Sequence, residues 1–80
     1  MNEQDAWNTV RTAMGEVAPD VGPDELAAGA RLRQDLELDS LDFLRVLETI
    51  VQRTGVDIPE HAYREVATVG GLVGYLTARG

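Results

Sequence analysis

Apolar residues recur at helical spacing in three stretches of this chain. Between positions 3 and 17, Ala6, Trp7, Val10, Ala13, Met14 and Val17 fall within about 120° of one another on a helical wheel. Gln4, Asn8, Arg11 and Glu16 lie elsewhere on that wheel, so the pattern predicts an amphipathic helix with Trp7 in its core stripe. Pro19 and Gly22-Pro23 end it. A second helix is predicted over Ser40–Thr54, with Phe43, Leu44, Val46, Leu47, Ile50 and Val51 as its buried stripe. Gly55 suits the left-handed residue that closes such a helix. The last helix begins near Thr68 or Val69 and turns Val69, Leu72, Val73 and Leu76 inward. Gly70, Gly71 and Gly74 lower its intrinsic propensity, so packing must hold it. Between these two, a short element over about 60–65 follows Pro59, a residue suited to a helix start.

The segments between the helices are unequal. Val56-Asp57-Ile58 alternates, but three residues before a proline make a connector and no strand is predicted. The connection from Ala18 to Asp39 is roughly twenty residues, long enough to be functional or to hide a small element. Asp24-Glu25-Leu26-Ala27-Ala28 fits a single helical turn, and Leu32, Leu36 and Leu38 read as anchors pinning the loop across the core. The fold class is therefore all-α: a four-helix bundle with a long loop between helices 1 and 2 and a short third helix, in a single domain over 1–80.

Charge narrows the partners. Fourteen acidic residues face seven arginines and no lysine, for a net charge of −7. Such a chain repels phosphate backbones and anionic lipid headgroups, so nucleic acid and membrane surfaces are poor partners and basic protein surfaces better ones. No apolar run reaches the length of a membrane span. Met1-Asn2-Glu3-Gln4-Asp5 is acidic and polar, unlike a secretion or transit signal, so a cytoplasmic protein is expected. Size and charge favour a monomer. The absence of cysteine removes disulfides, thiolate catalysis and cysteine metal sites.

Ser40 is the only serine, and it falls where the long loop becomes the second helix, within Leu38-Asp39-Ser40-Leu41-Asp42. Free N–H groups and the positive end of the helix dipole favour an anionic group there. A hydrolytic nucleophile would need an adjacent base and an oxyanion site. The one histidine is His61, and the nucleophile-elbow pattern is missing, so no catalytic residue is assigned. His61 reads as a surface or loop-packing residue. Asp35-x-Glu37-x-Asp39 resembles the opening of a calcium loop, but Ser40 and Val46 stand where that loop needs glycine and glutamate, so no metal site is assigned. Taken alone, Asp39-Ser40 reads as a plain helix cap.

The wider pattern decides between cap and attachment point. Leu32-Arg33-Gln34-Asp35-Leu36-Glu37-Leu38-Asp39-Ser40-Leu41-Asp42, then Gly55-Val56-Asp57-Ile58-Pro59-Glu60, then Thr68-Val69-Gly70-Gly71-Leu72 together resemble the acyl carrier protein family. The resemblance implies that Ser40 receives 4′-phosphopantetheine from coenzyme A, covalently, through a separate phosphopantetheinyl transferase. It also implies that acyl intermediates ride on the arm as thioesters, loaded by a ligase or acyltransferase and presented to downstream biosynthetic enzymes. Asp39, Leu41, Asp42, Arg45 and Glu48 are the implied transferase and partner contacts. Leu41 falls outside the apolar stripe, near Arg45, Glu48 and Gln52, as a partner anchor would. Two alternatives stand beside this: a peptidyl or aryl carrier of a nonribosomal or hybrid pathway, and an unmodified helical adaptor. A domain cut from a larger synthase is disfavoured, because Met1 precedes a whole first helix.

Two features depart from that resemblance. Glu37 occupies a place where fatty-acid carriers have glycine, so the backbone there either needs no positive φ or tolerates mild strain. The second helix alternates Asp42 and Glu48 with Arg45 and Arg53, where fatty-acid carriers are mostly acidic, which favours dedicated partners over the general fatty-acid synthase set, in fatty-acid-like, polyketide or other specialised biosynthesis. Tyr63 and Tyr75 either cover the bundle or line an acyl cavity.

Overall fold

The computed structural model describes residues 1–79. Three α-helices and two 3-10 turns account for its regular structure. Helix α1 spans Glu3–Val17, where the Asn2 side chain accepts the Asp5 N–H at 2.7 Å and so occupies one of the orphan donors of the first turn. Helix α2 spans Ser40–Thr54, and Gly55 ends it at φ 74° with its N–H on the Val51 carbonyl at 2.8 Å. That conformation costs glycine little and other residues more. Helix α3 spans Val69–Arg79.

Helix α1 packs against both α2 and α3. Its Ala6, Val10, Ala13 and Met14 are buried with Val46, Leu47 and Ile50 of α2 and Leu72, Val73 and Leu76 of α3. Leu32, Leu36 and Leu38 are buried in the same core, so the long loop is anchored as its leucine spacing predicts. Two glycines let α3 come close to its neighbours. A Cβ on Gly71 would lie 2.0 Å from the Glu65 carbonyl oxygen, and one on Gly70 would lie 2.8 Å from that of Ala28.

Several expectations need correction. The short third helix is a single 3-10 turn, Glu60–Ala62, held by the Ala62 and Tyr63 N–H groups on the Pro59 and Glu60 carbonyls at 2.9 and 3.0 Å. So few residues gain too few hydrogen bonds to repay helix nucleation, and the tighter i→i+3 form results. Likewise the helical turn expected at Asp24–Ala28 is a 3-10 turn at Pro23–Glu25. Leu44, assigned to the buried stripe of α2, is 42% exposed. Trp7 is half-buried instead of core, with the Arg11 guanidinium 5.2 Å from its ring centroid. Val17 and Val51 are also only partly buried.

The loop between α1 and α2 owes its course to pairings remote in sequence. Leu32 N–H donates to the Ala67 carbonyl at 2.9 Å, while the N–H groups of Val69 and Gly70 donate to the Ala30 and Ala28 carbonyls at 3.0 and 2.8 Å. Arg31 and Thr68 form an isolated antiparallel bridge, and no strand develops from it among the described residues. Asp35 then closes a tight turn: its carboxylate accepts the Arg31 N–H at 2.8 Å and the Arg31 guanidinium at 3.0 Å. This pairing lays residues 28–32 along the approach to α3 and delivers 33–39 to the head of α2.

Candidate functional site

Ser40 is the first residue of α2 and is exposed. Asp39 caps the helix, its carboxylate accepting the Asp42 N–H at 2.7 Å, while its own carbonyl accepts the Phe43 N–H at 2.9 Å. The N–H groups of Ser40 and Leu41 keep no protein acceptor among the described residues. Two donors at the positive end of a helix dipole therefore stand free beside the hydroxyl. The turn leading to it is strained: Glu37 holds φ 59°, the left-handed region where glycine is at ease. Of the two readings of that position, tolerated strain is the one observed.

The hydroxyl opens on a cleft of about 430 Å³. One wall is α2 itself, with Phe43 and Leu44; the other is the segment before α3, with Tyr63 and Ala67. Phe43 and Tyr63 meet edge to face, ring centroids 5.8 Å apart at 88°, which joins the two walls. Leu44 is exposed because it faces this cleft instead of α1. The rim is polar, with Arg33 and Gln34 from the long loop and Arg64 from the turn after Ala62. Tyr63 is thus a cleft residue, while Tyr75 is buried and covers the bundle, its hydroxyl donating to the Asp57 carbonyl at 3.0 Å.

The other sequence-predicted contacts spread along α2. Leu41 is 58% exposed next to the serine. Asp42 is half-buried and faces Arg45 at 3.8 Å, one turn on. Glu48 lies about one turn beyond Arg45, exposed, and accepts from the Gln52 amide at 3.5 Å. Asp39, Leu41, Asp42 and Arg45 therefore gather at the head of the helix, and Glu48 stands about 12 Å along it at 1.5 Å per residue. Asp35 pairs with the Arg31 guanidinium at 3.0 Å. His61 opens on a neighbouring cleft with Glu60 and Arg64, and Ser40 does not line that one. Arg33, Gln34, Arg64 and Ala67 were not singled out by the sequence pattern, since their proximity to Ser40 arises from the pairing of two distant loops.

An exposed serine hydroxyl, free helical N–H groups and an adjoining apolar cleft suit a covalently tethered, anion-headed arm. Comparison with known proteins agrees, since the family described as the phosphopantetheine attachment site matches residues 8–76. The chain belongs to this family. The acyl carrier protein of Borreliella burgdorferi is 30% identical over 79 residues, 99% of this chain and 98% of that one. The acyl carrier protein of Wolinella succinogenes is 30% identical over 56 residues, 70% of this chain and 74% of its own. The mitochondrial acyl carrier protein of Saccharomyces cerevisiae is 27% identical over 66 residues, 82% of this chain and 53% of that protein. The group carried by the family is 4′-phosphopantetheine, and its members are carriers that do no catalysis themselves. The Ser40 site fits that group: its hydroxyl is accessible, and the cleft beside it offers apolar walls and a cationic rim.

Proposed function

We propose that the protein carries acyl intermediates on 4′-phosphopantetheine attached to Ser40, with residues 1–80 folding as a single carrier domain. The supporting observation is that the sole serine of the chain heads α2, exposed, at the mouth of the cleft. Ser40 Oγ is the acceptor in the attachment. It forms the new P–O bond as the pyrophosphate P–O bond of coenzyme A breaks, adenosine bisphosphate leaves, and the hydroxyl proton passes to a base of the transferase. When bound, the arm supplies a terminal thiol that holds acyl cargo as a thioester.

The chain's own residues present the serine. Asp39 fixes the start of the helix through its cap, and Leu41 offers an apolar anchor beside the hydroxyl. Asp42, Arg45 and Glu48 set the charge pattern that a phosphopantetheinyl transferase, a loading ligase or acyltransferase, and downstream enzymes meet. Because Arg45 pairs with Asp42, the exposed face of α2 is of mixed sign near the serine. Charge pattern selects partners more than it adds affinity, so dedicated enzymes of polyketide or other specialised biosynthesis fit this face better than a general fatty-acid set. No helix among the described residues is long and apolar enough to cross a membrane. The acidic composition is in keeping with a cytoplasmic monomer.

Intact mass tests the assignment. Incubation with coenzyme A, magnesium and a broad-specificity transferase is expected to add one phosphopantetheinyl group, and Ser40→Ala to abolish the gain. An unchanged mass with several active transferases would leave the adaptor reading in its place.

A further inference from the structure

The seven arginines divide sharply by what they touch. Four face carboxylates: Arg31 with Asp35, Arg45 with Asp42, Arg53 with Glu16 and Arg79 with Glu65. Arg11 lies against the Trp7 ring and donates to the Asn8 side chain at 3.4 Å. Arg33 and Arg64 alone have neither an ion pair nor a side-chain hydrogen bond among the described residues, and both line the cleft that Ser40 opens. Acids outnumber arginines two to one in this chain, so a guanidinium with no polar side-chain partner at all is the exception. Both exceptions stand at the same hydroxyl.

We propose that Arg33 and Arg64 form an anion clamp for the phosphodiester on Ser40, and that the arm lies folded in the cleft. This rests on the attachment of the arm to Ser40. A phosphodiester there adds a negative charge next to Asp39 and Asp42, on a chain already at −7. The two guanidiniums offset that repulsion, because their planar forks match phosphate oxygens and they are less strongly hydrated than an ammonium. The segment of the arm next to the phosphate carries two geminal methyl groups, and apolar Phe43 and Tyr63 wait beside the serine. Gln34 on the rim would offer an amide partner to the polar part of the arm that follows. A cleft of about 430 Å³ is of the size that holds a small ligand. The arginines thus keep the arm on the bundle until a partner, itself bearing cations, draws the phosphate away.

Nuclear magnetic resonance on isotopically labelled protein carrying an unlabelled arm tests this, with full conversion verified by intact mass. Through-space contacts are expected from the geminal methyls to the ring protons of Phe43 and Tyr63. They fall to baseline in the Arg33→Gln/Arg64→Gln double variant, and Arg33→Lys/Arg64→Lys regains them in part. Both arginines are exposed and partnerless, so the fold does not depend on them. Holo protein without these contacts overturns the clamp, whatever the variants do, and so does a double variant that keeps them in full. A chain that never gains the arm overturns the carrier reading and the clamp together, whereas one modified at Ser40 yet lacking the contacts overturns the clamp alone.

Discussion

Asp39 performs two tasks that a substitution pair can separate. Its carboxylate caps α2 by accepting the Asp42 N–H, and its negative charge flanks the serine that a transferase must find. Removing the cap with Asp39→Ala is expected to cost about 1 kcal/mol in urea unfolding, whereas asparagine caps nearly as well and should cost only a few tenths. If charge guides the transferase, both variants slow modification of Ser40 alike, although only one is destabilised. Modification by Asp39→Asn at the wild-type rate would reduce Asp39 to a cap. Much at this scale is legible in the chain: the cap, the exposed Leu41 and the left-handed Gly55 all follow from residue type and spacing. Glu37 is not legible in that way. Its φ of 59° is set by the need to carry the chain from buried Leu36 to buried Leu38 and on to the cap, a tertiary demand that overrides its own preference.

Helix α3 is held by contact and not by propensity, and its glycines differ accordingly. A Cβ on Gly71 would run into the Glu65 carbonyl, whereas one on Gly74 would meet open space. Gly71→Ala should therefore destabilise by about 1–3 kcal/mol through forced separation of α3 from the turn before it. Gly74→Ala should stabilise by up to about 1 kcal/mol, the intrinsic advantage of alanine in a helix interior. Equal effects from the two in thermal unfolding would show that α3 does not sit against that turn. The α1–α2 loop carries a different signature. The Arg31 side chain, and then the Arg31 N–H, hydrogen-bond the Asp35 carboxylate and lower its pKa below the ordinary value. A carboxyl so depressed contributes stability above its unfolded pKa of about 3.9 and loses it as pH falls through the folded value. The melting-temperature gap between wild type and Asp35→Asn is thus expected to be widest near neutral pH and to close below about pH 4. A gap that does not narrow at all between pH 7 and pH 2.5 would mean that Asp35 acts by packing and not by charge. The elements themselves were readable where apolar periodicity was long, as in α1 and α2. It failed at Glu60–Ala62 because six residues of pattern do not decide between a helix and a 3-10 turn, and it could not show that residues 28–32 pair with 67–70. That pairing is what brings Arg33 and Arg64 to the serine, so the cleft was hidden for the same reason.

The molecule as a whole balances a small core against its own charge. Its principal extents are 27 × 25 × 21 Å. In about 10 mM salt the screening length is roughly 30 Å, so every acid feels every other across the entire protein; near 0.15 M it is about 8 Å and only neighbours interact. Opposed to this repulsion are four arginine–carboxylate pairs at the surface among the described residues, of which Arg53–Glu16 ties α2 to α1. Exposed pairs of that kind contribute little each, typically below about 1 kcal/mol, and salt weakens them too. With fourteen acids and seven arginines the unscreened excess is the larger effect. The melting temperature is therefore expected to rise from about 10 mM to 150 mM sodium chloride, because relief of repulsion outweighs the weakened pairs. Charge reversal at an unpaired acid such as Asp20→Lys should flatten the rise, since it removes repulsion without breaking an ion pair. A melting temperature that falls with salt would place the surface pairs, and not the net charge, in control of stability, and Glu16→Gln would then reproduce most of that fall at low salt.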